Sequence, residues 1–370
     1  MLTKIASNLI DYSLNLNAGA KLNIIVRGES QEDLGKEVVR LAKLKGIKTR
    51  LGYENVIDFD LFTNEEFESF FEKELKVMKQ CDACLLLIDQ VPVKLSDKGY
   101  KRREMFYKQV HLDVRCKKKW ALTSLPCPEA CGSQEKAKEL TDVFMKASSI
   151  DYSKFEIAME NLSKRFANAD KVQIIAKDTN LTFSVKNMPI VKCIGKRNLP
   201  DGEIYCAPIK DSVNGYITYN LPSIYNGVVH NNIHFEFENG KIVKAESSNT
   251  EELLKILNTD EGVRYIGEFS FGLNPFIKKP YNNTLFDEKI SGTIHFTPGD
   301  SLSKSDNGNR SAVHWDIVQS HDVSLGGGEI WFDNVLIRKD GLFVLEDLKC
   351  LNPENLARFI SKDDNEITKL

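Results

Sequence analysis

The sequence holds no run of the roughly 18 apolar residues that a membrane-spanning helix requires. Its opening stretch, MLTKIASNLIDYSLNLNAGAKLNIIVRG, also lacks the continuous apolar core of a secretory signal. A soluble, cytoplasmic protein is the expectation. An excess of charge of either sign is missing too: 50 basic residues face 53 acidic ones, a net charge of −3, so no global field favours nucleic acid or an anionic membrane. The one basic run, Arg115-Cys-Lys-Lys-Lys119, leads into Trp120 and an apolar stretch, and reads as a solvated strand entry. Eight cysteines do not make a disulfide framework in a chain of this size and suit a reducing compartment. Of their two close pairs, Cys81/Cys84 runs into the apolar LLLID and Cys127/Cys131 encloses Pro128, so core and turn thiols are expected rather than structural zinc. Nucleotide fingerprints are absent. The turn RGESQEDLG after the first strand is not GxGxxG, and no GxxxxGK[ST] occurs.

What is present is a change of texture along the chain. LNIIVRG reads as a strand, and SQEDLGKEVVRLAKLKG as a helix with Ser30 as N-cap, Leu34, Val38 and Leu41 as its apolar stripe, and Gly46 as its stop. CLLLID and KWALTSLP supply further strands, and a helical pattern runs from about Gln134 to Ser148. This alternation predicts an α/β N-terminal domain with an open sheet over residues 1–185. From about residue 171 short β runs take over, with Asn239-Gly240 and Asp340-Gly341 as hairpin turns and TEELLKIL as a helix. Residues 186–370 are therefore expected to form a β-rich α+β domain.

Four segments of that second half carry acids or histidines where apolar residues would be expected. PDGEIYCAP holds Glu203, YIGEFSFG holds Glu268, FDEKISGTIHF holds Glu288 and His295, and SAVHWD holds His314 and Asp316. In a strand, residues two apart share a face, so His314 and Asp316 point one way while Val313, Trp315 and Ile317 point the other. Imidazole nitrogen with carboxylate oxygen suits zinc, cobalt or manganese better than calcium or magnesium. Enough carboxylates are present to hold two divalent ions, which at roughly 3.5–4 Å apart can share a hydroxide and polarise a carbonyl, so hydrolysis is the implied chemistry. The other four histidines stay outside this set. His230 and His234 sit about 13 Å apart if their stretch is a strand, and His111 and His321 look like surface residues.

In this order and spacing, GEIYCAP, DSVNGYITYNLPS, YIGEFSFGLNP, TLFDEKISGTIHFTPG, DNGNRSAVHWDIV and GGGEIWFDN closely resemble the thermophilic-type metallo-aminopeptidases, the aminopeptidase T and aminopeptidase S group. The resemblance covers most of the chain and implies a two-domain homodimer whose C-terminal domain binds metal. It implies metal ligation by Glu203, Glu268, Glu288, His295, His314 and Asp316, and two divalent ions, zinc or cobalt ahead of manganese or magnesium. It further implies peptide substrates that lose their N-terminal residues to a two-metal-activated hydroxide. The general base and the substrate-binding residues are left unassigned. One departure stands out: relatives carry a tyrosine seven residues after the histidine of GTIHF, and this chain has Leu302. A weakly active or inactive metal-binding relative is the alternative that this leucine raises. A two-metal phosphoesterase would call for a basic cluster, and the segments offer only Lys289 and Arg310.

Overall fold

The computed structural model describes residues 1–54, 59–89, 91, 95–302 and 304–361. They form two compact units. The first unit, residues 1–149 with 195–200, is built on a parallel sheet of β1 (Lys21–Arg27), β2 (Lys48–Glu54), β3 (Ala83–Ile88), β4 (Lys119–Thr123) and the short β8 (Asn198–Leu199), in the order β2-β1-β3-β4-β8. Leu22, Ile24, Ile25 and Val26 are all buried, the near-continuous apolar run that a parallel strand covered on both faces requires. Cys81 and Cys84 lie in the aromatic core of this unit with Phe59, Phe67 and Phe106, and all eight cysteines are free thiols.

Two local expectations are corrected here. Ser30 does not cap the helix that follows, because its hydroxyl donates to Asp89 and the helix starts at Glu32 after a 3-10 turn over Glu29–Gln31. Arg115, expected to be solvated, is buried, with its guanidinium 3.2 Å from the His111 ring.

The second unit takes residues 150–194 and everything from Asp201 onward. Residues 150–185, assigned above to the first domain, belong to it. β5 (Lys171–Ala176) and β6 (Thr179–Ser184) pair as a hairpin, and β5 also pairs with β18 (Gly328–Phe332), which lies far along the chain. An eight-stranded antiparallel sheet results, ordered β14-β13-β10-β6-β5-β18-β19-β20, with β10 (Asn214–Thr218), β13 (His234–Glu238), β14 (Lys241–Glu246), β19 (Val335–Lys339) and β20 (Leu342–Phe343). Asn239-Gly240 and Asp340-Gly341 turn the hairpins β13–β14 and β19–β20, and TEELLKIL is the helix Thr250–Leu257. The short strands β11 (Ser223–Tyr225) and β12 (Val228–His230) form a separate hairpin.

A further antiparallel sheet carries the candidate chemistry. It is ordered β17-β16-β15-β9-β7, with β7 (Val191–Cys193), β9 (Glu203–Cys206), β15 (Ile266–Gly272), β16 (Thr293–Pro298) and β17 (Val318–Ser320). One of its faces is aromatic and aliphatic: Ile204, Phe269, Phe271, Ile294 and Phe296. Phe269 meets Phe183 of β6 at 4.9 Å between ring centres and Phe166 at 5.6 Å, and Phe296 meets Phe183 at 5.1 Å. That layer, between the two sheets, is the core of the unit. Among the described residues no helix is long and apolar enough to cross a membrane.

Candidate metal centre

The opposite face of the same sheet is polar, and strand register explains how residues distant in sequence reach it. Ser270 stands across from His295 on β16 and from Tyr205 on β9, Glu268 stands across from Thr297, and Gly272 across from Glu203. Residues directly opposite in an antiparallel pair share a face, so Glu203, Tyr205, Glu268, Ser270, His295 and Thr297 all project to one side. A bulge sets this register. Ile266 pairs with Pro298 and Glu268 with Thr297, which leaves Gly267 as the extra residue. A side chain at Gly267 would place its Cβ 2.1 Å from the Asp300 carbonyl oxygen, so glycine is required for the bulge to close.

Glu288 arrives differently, at the end of the one-turn helix Thr284–Asp287. The SAVHWD segment is not a ladder strand. It is held by a single bridge between Gly299 and His314 and by bonds from Trp315 N to the Pro298 carbonyl at 3.2 Å and from Phe296 N to the Ile317 carbonyl at 3.2 Å. The alternation nevertheless holds. Val313, Trp315 and Ile317 are buried, and the His314 and Asp316 side chains meet at 3.3 Å.

The two histidines are held alike. His295 Nδ1 lies 3.1 Å from the Glu288 carbonyl oxygen and His314 Nδ1 lies 2.8 Å from the Asp300 carbonyl oxygen. A carbonyl can only accept, so each Nδ1 carries the hydrogen and each Nε2 is turned toward carboxylates. His295 Nε2 stands 2.9 Å from Glu268 Oε1 and 3.3 Å from Glu203 Oε2, and His314 Nε2 stands 3.8 Å from Glu268 Oε2. Glu268 Oε2 is buried and has no hydrogen-bond partner. A carboxylate oxygen left in that state is costly, and a cation is the group that would satisfy it. Nitrogen and oxygen donors whose rings are fixed by backbone carbonyls fit a divalent ion.

Without a cation, protons take its place. Burial alone would lower both histidines, but the Glu268 hydrogen bond and the Glu203 charge raise His295 to about 9, and the Asp316 charge raises His314 to about 10. Burial pushes Glu203 up to about 7 against the pull of Lys289 and His295. Asp316 runs the other way: burial would raise it, but the charge and hydrogen bond of His314 hold it well below the usual carboxylate range.

The sequence profile of the thermophilic metalloprotease family (M29) matches residues 1–343. The chain belongs to that family. Aminopeptidase AmpS of Bacillus subtilis (strain 168) is 33% identical to it over 129 residues, 33% of this chain and 30% of AmpS. Aminopeptidase T of Thermus thermophilus is 31% identical over 146 residues, 35% of this chain and 36% of that relative. These alignments thus span about a third of the relatives' own length. Among solved structures, wild-type AmpT from Thermus thermophilus matches with a TM-score of 0.76 at 19% identity, over 93% of this chain and 99% of that one. A 2,5-dihydroxypyridine dioxygenase from Pseudomonas putida KT2440 matches at 0.64 with 13% identity, over 94% and 98%. One fold therefore carries two differently named activities, and the chemistry has to be argued from the site.

All six residues singled out in the sequence of this M29 chain lie in the second unit, and Glu203, Glu268, His295, His314 and Asp316 converge. Glu288 reaches the cluster by its backbone carbonyl, and its carboxylate pairs with the buried Lys289 and lies in the field of the Glu203, Asp316 and His295 charges. Several neighbours escaped the sequence reading. Cys193, Asp201 and Glu203 offer donor atoms within 4.8 Å of one another. Burial and the Glu203 and Asp201 charges hold the Cys193 thiol well above its ordinary value, so it stays protonated in the absence of a cation. Burial and the Glu268 charge likewise raise the Tyr205 hydroxyl, keeping it a donor on the polar face. Thr297 donates to Asp316 Oδ1 at 2.8 Å, and the i, i+2 rule that pairs it with His295 would have found it. Thr297→Val, which keeps the shape and removes this bond, is expected to weaken divalent-ion binding by about 10- to 100-fold, read by equilibrium dialysis with zinc. His321, expected at the surface, is fully buried, bonded to Gln319 at 3.0 Å and beside Arg338.

Proposed function

We propose that the chain is a metal-dependent aminopeptidase that releases N-terminal residues from peptides, using two divalent ions held by Glu203, Glu268, Glu288, His295, His314 and Asp316. The observation that carries the reading is Glu268, whose two oxygens turn toward different imidazoles, Oε1 to His295 at 2.9 Å and the unpartnered Oε2 to His314 at 3.8 Å. A carboxylate so placed suits bridging, with Glu203 beside His295 on one side and Asp316 beside His314 on the other. When bound, the ions supply an activated water and polarise the scissile carbonyl. The chain's own part is to aim both Nε2 atoms at the ions by tying each Nδ1 to a backbone carbonyl, to keep bulk water from the carboxylates, and to fix Asp316 through Thr297. Glu288 also contributes the carbonyl that orients His295. Names of relatives support the aminopeptidase activity, the family resemblance supports a homodimer, and the eight free thiols support a reducing, cytoplasmic compartment. Zinc or cobalt suits the donor set.

The test is turnover of leucyl-p-nitroanilide before and after chelation, with N-acetylated substrate alongside. Turnover lost on chelation, restored by cobalt or zinc, and blind to the acetylated substrate is the expected result. Leu302 motivates a second reading, a metal-binding relative with little or no peptidase activity: the side chain is about a third exposed, and leucine offers no hydroxyl to a developing oxyanion. Bound metal without turnover across a panel of aminoacyl-nitroanilides would select that reading. Leu302→Tyr is then expected to raise the rate by about 10²-fold.

A further inference from the structure

Behind the SAVHWD segment lies a cavity of about 260 Å³, lined by residues of the β11–β12 hairpin, of the helix Thr250–Leu257, and by Ala312 and Val313. Val313 turns away from the face that carries His314 and Asp316, so the cavity is on the other side of the segment from the metal centre. Its lining joins an apolar wall, Val228, Ile256 and Val313, to three polar groups, His230, Glu252 and Lys255. His230 is fully buried, and its Nε2 has no hydrogen-bond partner among the described residues. Its Nδ1 lies 3.2 Å from Ser247 Oγ, which already accepts from Asn249 N at 3.0 Å. The serine hydroxyl then donates to Nδ1, which leaves the hydrogen of the neutral ring on Nε2. A buried N–H without an acceptor is costly, and a ligand oxygen would satisfy it. Glu252 and Lys255 stand 2.6 Å from each other on the helix, with both side chains open to solvent. We propose that this cavity is a second small-molecule site, built for a free α-amino acid with an apolar side chain.

A zwitterion matches the lining group by group. Its ammonium meets Glu252, its carboxylate meets Lys255 and the Nε2 hydrogen of His230, and its side chain covers Val228, Ile256 and Val313. Size points to the same class, since the cavity is smaller than the roughly 300–1,000 Å³ of pockets for drug-sized ligands. Each residue of an extended peptide would part the two charges by about 3.5 Å more, whereas Glu252 and Lys255 lie side by side. The site also touches the metal-bearing segment through packing. The rings of Tyr225 and His230 are centred 5.0 and 5.3 Å from that of Trp315, the residue between His314 and Asp316, and Trp315 Nε1 donates to Ser223 Oγ at 2.8 Å. An occupant therefore bears from behind on the segment that presents two of the proposed metal ligands. Binding of the amino acid is independent of the metal-centre reading; that the occupant is a product of the chain's own reaction rests on it.

Equilibrium dialysis of the full-length protein against labelled L-leucine, with chelator present, tests this without bound ions and without any assay of turnover. One leucine per chain is expected. N-acetyl-leucine and leucinamide, which each lack one of the two charges, should bind about 10-fold or more weakly. Lys255→Met and Glu252→Gln change solvent-exposed side chains outside the metal centre, and each is expected to weaken leucine binding by a similar factor while circular dichroism stays unchanged. Leucine that fails to bind the folded, chelated wild type, or that binds both variants as tightly as the wild type, overturns the inference and leaves the metal-centre reading in place. Turnover that no chelator affects would instead sink the metal-centre reading and leave leucine binding as measured.

Discussion

On the proposed two-ion centre, Glu268→Gln should release both ions at once and lower turnover by more than about 10³-fold, the largest effect expected of any single substitution in this chain. The reason is geometric. Each Glu268 oxygen faces a different histidine, at 2.9 and 3.8 Å, so one amide nitrogen in place of one oxygen removes a donor from one ion and the negative charge from both. Glutamine keeps the volume, and β15 is anchored on its other face by Phe269 and Phe271, so the fold should survive. Metal content per chain and near-ultraviolet circular dichroism, measured on the same sample, check the two halves of this statement. Retention of two ions by a folded Glu268→Gln protein would remove the bridge from the account.

The second large effect is a reversal of pH dependence on metal loading. In the metal-free protein Glu203 is raised to about 7, His295 to about 9 and His314 to about 10, each above its ordinary value of 4.5, 6.5 and 6.5. The folded state thus binds more protons than the unfolded one across this range. The stability these groups contribute is complete at low pH and is lost as pH rises, through 7 for Glu203 and through 9 to 10 for the histidines. Asp316, held low, contributes in the opposite sense, but its contribution disappears only in acid. The chelated protein should therefore melt at a lower temperature at pH 9 than at pH 6, by roughly 5 °C or more. With zinc or cobalt present the sign inverts, because binding needs the histidines neutral and the carboxylates ionised. Two thermal-melting series across that range, one with chelator and one with metal, suffice. Parallel curves would show that the ions do not replace these protons.

The parts of this arrangement that the sequence made legible are those written in short-range alternation. His314 and Asp316 lie two apart between buried Val313, Trp315 and Ile317, and extended backbone gives that pattern whether or not a full ladder forms. TEELLKIL and the Asn-Gly and Asp-Gly hairpins are local in the same way. What escaped depends on pairings remote in sequence. Cys193 lies beside Glu203 only because β7 pairs with β9, and Tyr205 faces the centre only through its register with Ser270. Lys289 figured in the sequence only as one of two basic residues on the ligand-bearing segments, and only its burial turns the pair with Glu288 into a structural element. The error on His321 is of that kind too: nothing in QSHDVS announces that the ring lies beneath Arg338. The boundary was misplaced because β5 and β6 read as the close of an α/β domain, whereas β5 finds its other partner in β18.

That last pairing has a consequence for how such a protein can be divided or inherited. The second unit is not a contiguous cassette. The chain enters it at Ile150, leaves for six residues at Gly195–Pro200, and returns. A gene fragment starting at residue 186, where the sequence suggests a boundary, would lack the two central strands of the eight-stranded sheet and leave β10 and β18 with open hydrogen-bonding edges. Recombination that exchanges either unit needs three junctions instead of one, so truncation or domain swapping at any single site should yield aggregating rather than independently folding pieces.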